Sequence, residues 1–123
     1  MTYTILVSDE LAEEGIEILR EHAMVDVNTG LSEDELVATI ENYDALLVRS
    51  GTQVTERVIE AGKKLRFIGR AGAGVDNIDM NAATRNGIIV ANAPEGNTLA
   101  ATEHTMAMIQ SPEVMKKLPR ITI

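Results

Sequence analysis

A chain of 123 residues with 45% apolar and 24% charged side chains is long enough for one domain with a buried core. Nineteen acidic against eleven basic side chains give a formal charge of −8, and the aromatic complement is one Phe and two Tyr. That balance excludes nucleic acid and anionic membrane as partners, since both need clustered Lys and Arg, and single strands also need aromatic rings to stack on. Cysteine is absent, which excludes disulfides and thiol catalysis. The acidic start MTYTILVSDELAEEG is unlike a signal peptide and no apolar run reaches a membrane span, so the expected location is cytoplasmic.

Taken in order, residues 3–7 read as a short buried strand, followed by Ser8 or Asp9 as the cap of a helix running to about His22. Leu11, Ile16, Ile18 and Leu19 supply the apolar side of that helix. Residues 24–27 alternate as a second strand, and Asn28-Thr29-Gly30 turns it. Ser32-Glu33-Asp34-Glu35 is a capping box for a helix that carries Leu36, Val37 and Ile40 inward. Ala45 to Val48 is continuously apolar, as expected of a strand covered on both faces. A helix over 54–61, closed by Gly62, leads to a fourth strand over 65–69.

Small residues then dominate. Gly69-Arg70-Ala71-Gly72-Ala73-Gly74 lets the main chain approach a ligand closely, and Asp76, Asn77 and Asp79 offer caps for a short helix over 80–85. Free N–H groups beside Arg70 and ahead of a helix suit an anion. The rival reading is a tight strand-to-helix turn that needs small residues only for packing. The dinucleotide fingerprint is not met, because Asn77 stands at the third glycine position and Glu95 sits in a turn beside Pro94. Ile88 to Val90 is a fifth strand, residues 91–97 are an irregular connection, and a helix from Thr98 through about Ile109 ends before Pro112.

Regular β-α alternation predicts an α/β fold with a parallel sheet, helices on both faces, and ligands beyond the carboxyl ends of the strands. Ser8-Asp9, Arg49-Ser50-Gly51 and the Arg70–Gly74 stretch would share that rim. Arg49 and Arg70 would either converge on one anion or pair with neighbouring acids such as Asp44 and Asp76. His104 lies inside the last helix without the second His of a metal motif, and no metal site is expected. The methionines Met106, Met108 and Met115 read as packing or partner surface. A phosphorylated receiver domain is excluded, because Arg49-Ser50 and Ala93-Pro94 stand where it needs an acid and a Lys. Ser8, Ser50 and Ser111 lack the glycine-elbow context of a nucleophile.

The stretches Leu47–Thr55, Ile68–Asp79, Asn92–Thr98 and Glu103–Met108 resemble the D-isomer-specific 2-hydroxyacid dehydrogenases. Within that family the likeness is to members that oxidise 3-phosphoglycerate with NAD in serine biosynthesis. The resemblance runs from about residue 3 to 109. It implies a flavodoxin-like substrate domain over 1–97, a hinge at Asn97 and Thr98, and the start of the NAD-domain helix over 98–109. It also implies that Arg49, Ser50, Arg70, Gly72, Ala73 and Gly74 face the substrate's phosphate and carboxylate. After Ile109 the family pattern stops, and residues 110–123 diverge. The fingerprint glycines, the ribose-binding acid and the catalytic Arg, Glu and His have no counterpart in this sequence. The expectation is therefore a truncated oxidoreductase that binds a small phosphorylated hydroxy acid but neither holds NAD tightly nor turns over alone. A non-catalytic acid-binding module, or a homo-oligomer formed through the 98–109 helix, is the alternative.

Overall fold

The structure, a computed structural model, describes residues 3–72, 74–93, 105 and 120–122. Strands β1 (Thr4–Val7), β2 (Met24–Val27), β3 (Ala45–Val48), β4 (Phe67–Ala71), β5 (Ile89–Ala93) and β6 (Arg120–Thr122) form one sheet in the order β2-β1-β3-β4-β5-β6. Every neighbouring pair is parallel. The first five strands follow the flavodoxin-like order, in which the chain reverses its direction of travel between β1 and β3. Four helices join them: α1 (Glu13–Arg20), α2 (Glu33–Ile40), α3 (Glu56–Ala61) and α4 (Met80–Arg85).

Strand alternation sorts the core into two layers. Ile5, Val7, Ala45, Leu47, Phe67 and Ile89 face the side covered by Leu11, Ile16 and Leu19 from α1 and its approach. Leu6, Leu46, Val48, Ile68 and Val90 face the side covered by Leu36 and Ile40 of α2, Val58 and Ile59 of α3, and Ala82 and Ala83 of α4. Both faces of β3 are therefore dry, and all four of its residues are buried, as its unbroken apolar run predicts. The edge strand β2 buries only Val25, and its expected alternation fades at Val27, which is 44% exposed.

The local signals for α2 and α4 are met. Ser32 accepts the Glu35 N–H while the Glu35 carboxylate accepts the Ser32 N–H, completing the capping box. Asp79 caps α4 through the Ala82 N–H at 3.0 Å. Gly87, at φ +68, ends α4 in the left-handed conformation that a side chain disfavours.

Several boundaries differ from the sequence reading. Helix α1 starts at Glu13 with Ala12 in the cap position and no side-chain cap bond, because Ser8 and Asp9 are engaged elsewhere. It ends at Arg20 rather than near His22. Helix α3 starts at Glu56, capped by Thr55; Val54 instead makes a parallel bridge to Ile78. Gly62 closes α3 with φ −78, so its role is not a left-handed turn; a β-carbon there would meet the Leu65 side chain at 2.8 Å. Strand β4 begins at Phe67 and continues through Arg70 to Ala71, and β5 continues through Asn92 to Ala93, because each finds its ladder partner on the other. Residues 91–93 are thus strand, not irregular connection. Of the helix expected over 98–109, only Thr105 lies among the described residues, where it is helical and buried. Residues 120–122, expected to diverge, add β6 along β5.

Candidate functional site

The carboxyl edge of the sheet carries the site. Where β1 and β3 lie side by side, α1 leaves to one face and α3 to the other, so the two loops part. A cleft of about 490 Å³ opens between them, lined by residues 9–12 and 49–51. Arg49 and Ser50 are exposed at this cleft. Among the described residues the Arg49 guanidinium makes no hydrogen bond or ion pair. Asp44, one candidate partner for it, is committed to Thr4, whose N–H and hydroxyl it accepts at 2.8 and 3.1 Å.

The loop carrying Arg49 is held from two directions. On one side the Asp9 carboxylate accepts the Arg49 N–H at 2.7 Å and the Thr52 N–H at 3.0 Å through the same oxygen. On the other side the buried Asn77 amide donates to the Arg49 carbonyl and to the Thr52 carbonyl, each at 2.7 Å. The same two residues thus have both their N–H and C=O groups taken by side chains, and Ser50-Gly51 projects between them. The hydroxyls of Ser8 and Thr52 pair at 2.8 Å beneath the loop. Fixing a Ser-Gly segment in this way removes conformational freedom before any ligand arrives, which favours binding.

The second group of residues stands at the end of the adjacent strand, with Arg70 in register with Val48. The Gly72 N–H donates to the Ala93 carbonyl at 2.9 Å, and the buried Asn92 side chain donates to the Gly72 carbonyl at 3.1 Å. Gly74 has φ +78, a conformation that disfavours a side chain. A β-carbon on Gly74 would sit 3.7 Å from Arg70 Nη1, and one on Gly72 would sit 3.7 Å from Arg70 Cζ, so the Arg70 guanidinium lies over this turn. The structure therefore brings Arg49 and Ser50 together at the cleft, and Arg70, Gly72 and Gly74 together beyond β4. Ala73, Asn97, Thr98 and His104 lie outside the described residues.

Asn77 and Asn92 are residues that the sequence reading did not place at the site, and Asp9, which it placed on the rim, was read as a helix cap rather than as the clamp on the Arg49 loop. Short polar side chains just after a strand look like helix caps, and Asn92 fell in a stretch read as loop. Their partners are remote in sequence, 40 residues for Asp9 to Arg49 and 28 for Asn77 to Arg49.

The described residues do not fit the pyrophosphate of a dinucleotide. Helix α4, which would have to present its N-terminus, has only six residues and carries the Asp79 carboxylate on the Ala82 N–H. A carboxylate there opposes a phosphate. Among the described residues no three His, Asp or Glu side chains gather as a metal site, and no helix is long and apolar enough to cross a membrane.

A parallel sheet in flavodoxin-like order, with a cleft at its switch point and a glycine turn beside it, defines an α/β domain of the open, parallel class. The sequence model of the D-isomer specific 2-hydroxyacid dehydrogenase catalytic domain matches residues 5–122. The chain belongs to that family. It is 57% identical over 107 residues to the D-3-phosphoglycerate dehydrogenase of Synechocystis, covering 87% of this chain and 19% of that protein. It is 46% identical over 117 residues to the enzyme of the same name from Archaeoglobus fulgidus, covering 94% of this chain and 22% of the relative. The chain thus spans about a fifth of the length of these curated relatives. Among solved structures it is similar to the PH0520 protein of Pyrococcus horikoshii, with TM-score 0.73 and 32% identity over 76% of this chain and 28% of that one. The NAD⁺-bound 3-phosphoglycerate dehydrogenase of Entamoeba histolytica gives TM-score 0.69 and 31% identity, over 76% of this chain and 33% of that one.

Proposed function

We propose that this chain is the substrate-binding portion of an NAD-dependent phosphoglycerate dehydrogenase, and that its carboxyl rim holds the anionic groups of a small phosphorylated 2-hydroxy acid. The observation that carries the reading is the Arg49 guanidinium, presented at the cleft by a clamped loop and without a partner among the described residues. A planar fork of N–H donors suits phosphate and carboxylate oxygens. Ser50 adds a hydroxyl beside it. Arg70, Gly72 and Gly74 line the second wall, where the Arg70 guanidinium and the main chain beyond Gly72 would meet the other anionic group. The family resemblance adds Ala73 to them; the Gly72 N–H itself is taken by the Ala93 carbonyl. On this reading residues 1–97 act as the substrate domain, Asn97-Thr98 is the hinge, and residues 98–109 lead toward the nucleotide domain. The names of the relatives favour 3-phosphoglycerate as the acid. The reading keeps the cytoplasmic setting expected from the sequence.

Hydride transfer needs a nicotinamide held against the substrate's C–H bond, and no described residue of this chain supplies that orientation. The chain alone is accordingly expected to bind the acid, to bind NAD at most weakly, and to form no NADH. The test is a titration of the 123-residue chain with 3-phosphoglycerate, followed by two-dimensional amide NMR, beside an NADH absorbance assay. Shifts at Arg49 and Gly74 that vanish in Arg49→Ala support the reading. A folded chain whose rim does not respond, or one that forms NADH unaided, overturns it.

A further inference from the structure

The two rim loops are joined by one side chain. Asn77 lies three residues beyond Gly74, yet both protons of its buried amide go to carbonyls of the other loop, those of Arg49 and Thr52. The main chains continue the join: the Val54 N–H donates to the Asn77 carbonyl at 2.8 Å, and the Asp79 N–H to the Val54 carbonyl at 2.9 Å. Asn77 Oδ1 is buried and meets no donor among the described residues. The side chain is therefore used for its two donors, which no carboxylate, hydroxyl or alkyl group at this position supplies. Buried amides of this kind hold a backbone in one conformation, because the alternative leaves carbonyls without donors.

We propose that Asn77 is a positioning residue that couples the Arg49 loop to the Gly74 turn, so that the two walls of the rim bind one anionic ligand as a single unit. This rests on the anion-binding reading given above and adds to it that neither wall responds alone. Asp9 holds the Arg49 loop from its far side but does not reach the Gly74 turn, so its loss should weaken binding without separating the walls.

The experiment compares the chain, Asn77→Ala and Asp9→Asn in amide NMR titrations with 3-phosphoglycerate. The unaltered chain is expected to show shifts at residues 49–52 and 74–78 that fit one dissociation constant. Asn77→Ala is expected to bind about tenfold more weakly or worse, with shifts confined to the Arg49 loop. Asp9→Asn keeps an acceptor oxygen and should weaken binding less, with both regions still moving together. Hydrogen exchange on the unaltered chain gives a second reading should Asn77→Ala fail to fold: Val54 and Asp79 amides should gain protection together when ligand is added. Asn77→Ala that responds in both loops with one constant, or Val54 and Asp79 amides protected independently, overturns the coupling and leaves anion binding standing. No response at either loop of the unaltered chain overturns both.

Discussion

Gly51 stands so close to Asp9 that a β-carbon on it would lie 2.7 Å from Asp9 Oδ1 and 3.4 Å from Asp9 Cγ. The other oxygen of the same carboxylate accepts the Arg49 and Thr52 N–H groups. The absent side chain at Gly51 is thus a condition for the clamp on its own loop.

Gly51→Ala is expected to push the Asp9 carboxylate aside and free both N–H groups. Two hydrogen bonds to a half-buried carboxylate are at stake, so the loss should be about 1–2 kcal/mol in denaturant unfolding, with weaker 3-phosphoglycerate binding. An unchanged midpoint and affinity would show that the carboxylate has room to shift without leaving the loop.

The capping box at the start of α2 is exposed and local. Ser32→Ala should lower stability by about 1 kcal/mol. The box also ties stability to pH. The Ser32 N–H, and then its hydroxyl, hold the Glu35 carboxyl below its usual range. The Thr55 hydroxyl, and then Arg57, do the same for Glu33. A carboxyl whose folded pKa is depressed contributes stability above its unfolded value, and loses it as pH falls through the folded one. Unfolding midpoints should therefore decline below the usual carboxylate range, and less steeply in Glu35→Gln. Parallel acid profiles for the two chains would remove Glu35 from the account.

Tyr43 links the end of α2 to the edge strand, its hydroxyl donating to the Asp26 carboxylate at 2.6 Å. Burial, and next the Asp26 hydrogen bond and charge, push the phenol up to about 12 from 10.0. The fold therefore retains a proton that the unfolded chain releases first. Its contribution is complete below the unfolded value and is lost as pH rises through the folded one. A titration of phenolate ultraviolet absorbance should show a step near pH 12 that is lost in Tyr43→Phe, and the same substitution should flatten the alkaline loss of stability. An absorbance profile that Tyr43→Phe leaves unchanged near pH 12 would contradict the Asp26 contact.

The alternation of strands and helices, the two-sided burial of β3 and the caps at Ser32 and Asp79 were determined by the sequence itself, because each depends on residues within a few positions of one another. The ends of β4 and β5 were not, since a strand stops where its neighbour's ladder stops, and Arg70 and Asn92 are held in strand by each other's chains. The candidate site divides the same way. Arg49, Arg70 and the glycines were legible as donors and small residues following apolar strands. The roles of Asp9 and Asn77 were decided only by the tertiary structure. A carboxylate or amide after a strand satisfies whichever backbone groups lie nearest in space, and the parallel sheet brings the Arg49 loop closer to both than the helices that follow them in sequence.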